Sequence, residues 1–292
     1  MSFRSGFVAI IGRPNAGKST ILNAFLGEKI SIVSEKPQTT RNIIRGVKNT
    51  SECQIVFVDT PGIHKGKGLL NEFMLKEALS SLRGVDAVLY LVEAQSPLTG
   101  DDQLIIEGLK HASSPVVLAV NKIDMVEKRR LLPLIKEYSA LFPFSDIVPV
   151  SALKGDGVEE LLKIIAKMLP EGPKYFPEDI LTDQPVRFIA AEIIREKVFI
   201  FTRQEVPYSV AVVIEGFKET EGLVSISAVI NVEKDSQKGI IIGRGGQMLK
   251  KIGSAARVDI EDLLGTKVFL ELFVRVSKDW TKKPSYLKEF GY

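Results

Sequence analysis

Five short stretches in the first half of the chain carry residues whose types and spacing can act together on one polyanionic ligand. The first, Gly12-Arg13-Pro14-Asn15-Ala16-Gly17-Lys18-Ser19-Thr20, follows an apolar run at 7–11 and opens a helical pattern. That is the context required of a Gly-x-x-x-x-Gly-Lys-Ser phosphate loop. The glycines let backbone N–H groups turn inward around a phosphate, and the helix N-terminus adds its positive dipole end. Lys18 would neutralise the β/γ oxygens, and the Ser19 hydroxyl would ligate magnesium. A second stretch, Asp59-Thr60-Pro61-Gly62, begins where another apolar strand ends. Its carboxylate can hold the metal through water, and the Gly62 N–H can meet a γ-phosphate. A third, Gln38-Thr39-Thr40-Arg41, offers two adjacent threonines to close over the metal; we favour Thr40, and Thr39 stays open. The magnesium set is then Ser19, Thr40 and Asp59, and the groups closest to phosphoryl chemistry are Lys18, Thr40 and Gly62.

The base is decided by Asn121-Lys122-Ile123-Asp124. Asp124 can accept from two donors on the guanine edge, whereas adenine would leave the carboxylate unpaired, a costly mismatch. Asn121 would tie the loops together, and the Lys122 stem would cover the base. Ser151-Ala152-Leu153 is expected to place the Ala152 N–H on the guanine oxygen. The ligand expected here is therefore GTP or GDP with Mg2+, not ATP. Many small GTPases orient the attacking water with a Gln directly after Asp-x-x-Gly. Here that position is Ile63, which cannot polarise water, so turnover should be slow. His64 and His111 are read as exposed residues rather than bases.

These motifs need elements to position them. Apolar runs at 7–11, 55–58, 87–92, 116–120 and 147–150 read as buried parallel strands, with an added strand near 43–47. Helical spacing occupies 19–26, 69–82, 102–111, 127–141 and 158–168. This alternation predicts an α/β fold with a doubly wound, mostly parallel sheet, whose ligands sit beyond the strand C-termini. Loops 35–41 and 63–68 are polar or glycine-rich and expected to be mobile switches ordered by a γ-phosphate. Three prolines within 169–177 end this pattern. The expected domains are 1–172, a nucleotide-binding domain; 173–185, a linker; and 186–292, a small α+β domain in α-β-β-α-α-β order, with a helix over 186–203 and strands near 208–217, 224–232 and 268–276.

That last order, with Gly243-Arg244-Gly245-Gly246 between two helices, is the plan of a type II KH module clamping single-stranded nucleic acid. Residues 236–258 hold five basic side chains (Lys238, Arg244, Lys250, Lys251, Arg257) and no acidic one, a footprint for a polyanion. The RNA-contacting set is Lys238, Ile242, Gly243, Arg244, Gly245, Gly246, Lys250, Lys251 and Arg257; Ile241, Met248 and Leu249 are assigned mainly to core. At 292 residues, 45% hydrophobic, 26% charged and net +3, the chain reads as a two-domain globular protein. Its single cysteine, Cys53, reads as a buried structural residue, and neither a secretory signal nor a membrane span is expected. The expected compartment is cytoplasmic.

The chain resembles the Era family of bacterial Ras-like GTPases with a C-terminal KH domain, in the TrmE-Era-EngA-EngB-Septin-like class. The resemblance runs from the phosphate loop through Lys36-Pro37-Gln38-Thr39-Thr40-Arg41 and Asp59-Thr60-Pro61-Gly62. It continues at Phe176-Pro177-Glu178-Asp179, Ala191-Glu192-Ile193-Ile194-Arg195-Glu196-Lys197 and Pro207-Tyr208-Ser209-Val210. It implies GTP hydrolysis coupled to binding the 3′ end of small-subunit (16S) ribosomal RNA, and a role in ribosome biogenesis through maturation of the small (30S) subunit. Peripheral contact with the inner membrane and a monomeric state are further implications. A related group of GTPases coordinates potassium at the position of Asn15, which makes K+ a candidate ligand. The family's apolar residue in place of Gln agrees with Ile63; a single basic residue, Arg244, inside the KH loop is the departure. The alternative reading is an RNA-binding protein whose GTP/GDP-sensing domain turns over little.

Overall fold

The computed structural model describes residues 2–34, 36, 39–66, 68–202 and 206–292. Gln38 of the third motif, its neighbours Glu35 and Pro37, Lys67, and Arg203, the expected end of the helix from 186, lie outside the described residues. The chain divides into two compact units, Met1–Gly66 with Glu72–Asp183, and Lys67–Asn71 with Gln184–Tyr292.

In the first unit β1 (Arg4–Gly12), β2 (Ile44–Asn49), β3 (Cys53–Asp59), β4 (Ala87–Glu93), β5 (Val116–Asn121) and β6 (Asp146–Pro149) form one sheet in the order β2-β3-β1-β4-β5-β6. Every neighbouring pair is parallel except β2 with β3. The apolar runs are continuous because helices cover both faces of a parallel sheet; Val8, Ile10, Val56, Leu89 and Leu118 are fully buried. The helices are α1 (Lys18–Leu26), α2 (Leu69–Ser80, of which Glu72–Ser80 belong to this unit), α3 (Gly100–Leu109), α4 (Leu131–Leu141) and α5 (Val158–Met168). The helix expected at 127–141 starts later: Lys128–Arg130 form a 3-10 turn, and α4 begins only at Leu131. Cys53 is buried as expected.

The proline-rich segment does not hang free. Ser5 Oγ donates to Pro173 O at 2.6 Å, and the buried Gln54 side chain receives the Tyr175 and Phe176 N–H groups at 2.6 and 2.9 Å. Gln54 Nε2 returns a bond to Phe176 O at 2.8 Å. Farther along, the Val47 N–H donates to Leu181 O at 2.8 Å, Gly46 bridges Thr182 in antiparallel fashion, and Arg45 pairs with Asp183 at 2.6 Å. Residues 173–183 are thus a strap, held to β1 and β3 through 173–176 and lying along edge strand β2 through 178–183, where open backbone groups would otherwise face solvent.

The second unit contains α6 (Val186–Phe201), β7 (Ala211–Thr220), β8 (Leu223–Val232), α7 (Asp235–Ile242), α8 (Gln247–Leu264) and β9 (Lys267–Val276), then α9 (Pro284–Glu289). The three strands form a sheet in the order β7-β8-β9, antiparallel then parallel. The expected strand start at Tyr208 is instead a 3-10 turn, Pro207–Ser209, and α9 lies beyond the elements expected from sequence. Its approach is anchored by Trp280, fully buried, whose indole N–H donates to Ser209 O at 2.9 Å. Among the described residues no helix is long and apolar enough to cross a membrane.

Candidate functional site

Five strand ends set the site. β1 ends at Gly12, β3 at Asp59, β4 at Glu93, β5 at Asn121 and β6 at Pro149, so the loops that follow them leave the same edge of the sheet. They enclose a cleft of about 540 Å³ lined by Asn15, Lys18, Thr40, Gly62, Asn121, Asp124 and Ala152, together with Pro14, Gly17, Ser19, Thr20, Thr39, Lys122, Ser151 and Leu153. All five sequence stretches therefore contribute to one cavity. Gly12, Ala16, Thr60 and Pro61 lie behind that lining; the Thr60 hydroxyl donates to Ile10 O at 2.8 Å and holds its loop against β1.

At the phosphate end Lys18, only 6% exposed, folds back onto the loop, its Nζ donating to Gly12 O at 3.2 Å and Arg13 O at 2.9 Å. Burial lowers the ammonium pKa to about 8, against the opposing pull of Asp59 and Glu93. Asp59 is fully buried, and desolvation pushes its carboxyl up although Lys18 and the Ser19 and Ser31 hydroxyls oppose this. Ser19 Oγ bonds Asp59 Oδ2 at 2.9 Å and lies 2.8 Å from Thr40 Oγ1, while Thr39 Oγ1 turns to Lys36 O at 2.6 Å. Thr40 is thus the threonine whose hydroxyl reaches Ser19. Among the described residues, Asp59 Oδ1 is buried without a hydrogen-bond partner. An orphaned carboxylate oxygen beside two hydroxyls suits a hard divalent cation that takes its remaining ligands from water and phosphate. Among the described residues no group of three or more His, Cys, Asp or Glu side chains could hold a metal alone.

Asn121 performs the tying role expected of it. Its Nδ2 donates to Ala16 O at 2.9 Å, and its Oδ1 accepts the Ala152 N–H at 2.9 Å, joining the phosphate loop to the loop after β6. The Ala152 N–H, expected on a guanine oxygen, is therefore spent on Asn121. Asp124 accepts from Ser151 Oγ at 2.6 Å, which aims its carboxylate along the cleft rim. Lys122 pairs with Glu93 at 3.0 Å and sits at φ 63°. A left-handed conformation at a bulky residue costs on the order of 1–3 kcal/mol, a strain characteristic of functional loops. Asn15 shares that conformation at φ 65°. Leu153, 77% exposed, offers an apolar lid beside the base end.

Two expectations change. The Arg13 side chain turns away from the cleft to Asp102 and Thr99, so only its backbone serves the site. His64, expected to be exposed, is instead half-buried, and desolvation chiefly lowers its pKa. Ile63, expected not to polarise water, is wholly buried in the core cluster of the sheet and so out of reach of the cleft, in agreement with that expectation. Sequence reasoning missed Ser31, whose Oγ donates to Asp59 Oδ2 at 2.9 Å, and Asn23, which holds the Ile30 and Ser31 N–H groups at 3.0 and 2.9 Å. It also missed Glu93. A charged residue closing an apolar strand at the ligand edge was a signal for Glu93; no local pattern marks Ser31.

In the second unit Gly243 and Gly246 bracket the turn between α7 and α8. Gly243 has φ 71°, and a Cβ there would lie 2.7 Å from Met248 Cβ and 2.9 Å from its nitrogen, so the turn requires glycine. Arg244 and Gly245 are exposed at its tip. A groove beside the turn is lined by Gly246, Lys250 and Arg257 over Leu249, Leu270 and Leu272. Arg257 pairs with Glu261 at 2.9 Å, and the Glu261 carboxyl is held below its usual range by the Val268 N–H and by Arg257. Lys251 lies outside the groove, its Nζ 4.4 Å from the Phe201 ring centre, and Lys238 lines a separate depression with Phe273 and Arg275. Ile241 is core and Ile242 is half-buried.

Comparison with known proteins adds the following. A family model described as a 50S ribosome-binding GTPase matches residues 7–122, and a KH domain model matches residues 205–281. The GTPase Era of Geotalea uraniireducens (strain Rf4) is 61% identical over 291 residues, covering 99% of this chain and 98% of that protein. The GTPase Era of Geobacter metallireducens is 62% identical, with the same coverage. A crystal structure of an Aquifex aeolicus Era variant bound to GDP and tetrafluoroaluminate superposes with a TM-score of 0.96 at 45% identity, covering 99% of each chain. An Era structure in complex with MgGDPNP and nucleotides 1506–1542 of 16S ribosomal RNA matches equally well.

Proposed function

Because the chain belongs to the family of Era GTPases, we propose that its nucleotide state governs binding of the 3′ end of 16S ribosomal RNA by its KH domain, in maturation of the small (30S) ribosomal subunit. The chain is a GTPase. In this reading domain 1–172 binds GTP and GDP, 173–185 links, and 186–292 binds RNA.

The observation that carries the nucleotide half is the convergence of five motifs on one cleft, closed by the two bonds of Asn121. Lys18, folded onto carbonyls, would swing to the β/γ oxygens, and the Gly62 N–H would meet the γ-phosphate. Ser19, Thr40 and Asp59 would hold Mg2+, which supplies charge neutralisation on the phosphates. Asp124 would select guanine, with Lys122 and Leu153 enclosing the base. Asn15, at the cleft wall, is the residue we assign to K+. With Ile63 in the core, no side chain at that position orients water, so intrinsic turnover is slow and potassium should raise it.

The RNA half rests on the Gly243–Gly246 turn and the groove of Lys250 and Arg257. Coupling between the halves is supported by the strap. β2 begins four residues after Thr40, and residues 178–183 are bonded along it up to the start of the second unit. We place the protein as a monomer in the cytoplasm, with peripheral contact at the inner membrane. Binding of a labelled RNA ending in the small-subunit 3′ sequence, with GDP and with a non-hydrolysable GTP analogue, tests the whole reading. Tighter binding with the analogue is expected; equal affinity would reduce the first domain to an uncoupled sensor.

A further inference from the structure

Arg13 is the phosphate-loop side chain for which the nucleotide reading has no use. Its Nε lies 3.3 Å from Asp102 Oδ1, and its Nη1 donates to Thr99 Oγ1 at 3.1 Å. Asp102, in the first turn of α3, is wholly buried. It also accepts the Tyr90 hydroxyl on Oδ1 at 2.8 Å and the Thr99 N–H and Oγ1 on Oδ2, each at 2.8 Å. Burial pushes the Tyr90 phenol up, so it remains a donor. A buried carboxylate so satisfied is a rigid anchor for the cation that meets it.

The neighbouring Asp101 holds a second loop: its Oδ1 accepts the Lys65 N–H at 2.9 Å. The two held loops also meet each other. A Cβ on Gly62 would lie 2.6 Å from Pro14 N, and the Ile63 N–H donates to Gly12 O at 3.0 Å. The contacts close a ring, from α3 through Arg13 to Pro14, across to Gly62, on to Lys65 and back to α3. The ring encloses the side of the cleft where the Gly62 N–H awaits a γ-phosphate.

We propose that Asp102 and Asp101 are positioning residues for the triphosphate, together setting the Gly62 N–H against the phosphate loop. This rests on the nucleotide reading above. A diphosphate is held by N–H groups around the start of α1, which the ring does not carry, so breaking the ring discriminates against the triphosphate.

The test titrates MgGDP and a magnesium complex of a non-hydrolysable GTP analogue against the unmodified protein, Asp102→Asn, Arg13→Gln and their double variant. Asp102→Asn should weaken the analogue about tenfold, the scale of a lost charge-assisted bond, and GDP less than about threefold. Arg13→Gln should do the same, and the double variant should lose no more than either alone, as members of one network do. Equal losses for both nucleotides, or additive losses, would mean that Asp102 merely stabilises the loop and would overturn the proposal. Should Asp102→Asn not fold, Asp101→Asn, at a half-buried position, takes its place. A loss confined to the analogue then supports the proposal, and equal losses overturn it. If the unmodified protein binds neither nucleotide, the site reading fails and the inference with it.

Discussion

Lys18 and Asp59 are two buried charges at the phosphate end of the cleft. Each is pushed toward its neutral form by burial, the ammonium to about 8 and the carboxyl upward. A bound phosphate would restore the Lys18 charge, so its pKa rises on binding. Below about pH 8 the lysine is protonated in both states and affinity does not depend on it. Above that, binding must take up a proton, and affinity should fall by up to about tenfold per pH unit. GDP titrations from about pH 7 to about pH 9 check this; a flat profile would show that Lys18 stays charged without ligand. At the base end the prediction is one of specificity. Asp124→Asn replaces an acceptor with a donor on one atom and should shift preference from guanine toward xanthine nucleotides, read by competition between GDP and XDP. An unchanged preference would remove Asp124 from the base site.

Among the elements, the turn between α7 and α8 is the most informative. Any side chain at Gly243 collides with Met248, so a substitution there confounds loss of binding with loss of the turn. At Gly245, φ 58°, a Cβ meets nothing within 4 Å, and Asp tolerates the left-handed region. Gly245→Asp should therefore put a negative charge at the tip without breaking it, weakening RNA binding about tenfold or more while GDP affinity holds. Electrophoretic mobility shifts with the 3′-terminal RNA read this, and full RNA binding would move the interface away from the turn. The elements were legible where period and turn chemistry agreed, as in the five strand runs and the helix–turn–helix about Gly243. They were missed where packing decides. A strand is expected from about Tyr208, yet residues 207–209 close a 3-10 turn whose Ser209 carbonyl accepts from Trp280. α9 is short and carries no strong period.

For the molecule as a whole, the strap turns a proline-rich connection into a fixed part of the first unit. Gln54 makes three bonds to it from a fully buried position. Gln54→Ala should cost about 1–3 kcal/mol of stability in that unit. It should also flatten the difference in RNA affinity between GDP and GTP-analogue states, measured by thermal unfolding and RNA titration on the same variant. A preserved difference would rule out the strap as the route. The sequence by itself determined the ligand chemistry and the fold class, because phosphate loops, base loops and parallel strands depend on local backbone geometry and on residues near in the chain. It also told the nucleotide base, since one carboxylate in Asn-Lys-x-Asp is enough to tell guanine from adenine. What tertiary structure alone decided were matters of long range. Thr40 rather than Thr39 meets Ser19, Arg13 answers to Asp102, Asn121 takes the Ala152 N–H, and residues 178–183 of the linker lie along β2. Each joins residues far apart in sequence, where hydrogen-bond partners are chosen by which strand ends and loops the sheet brings together.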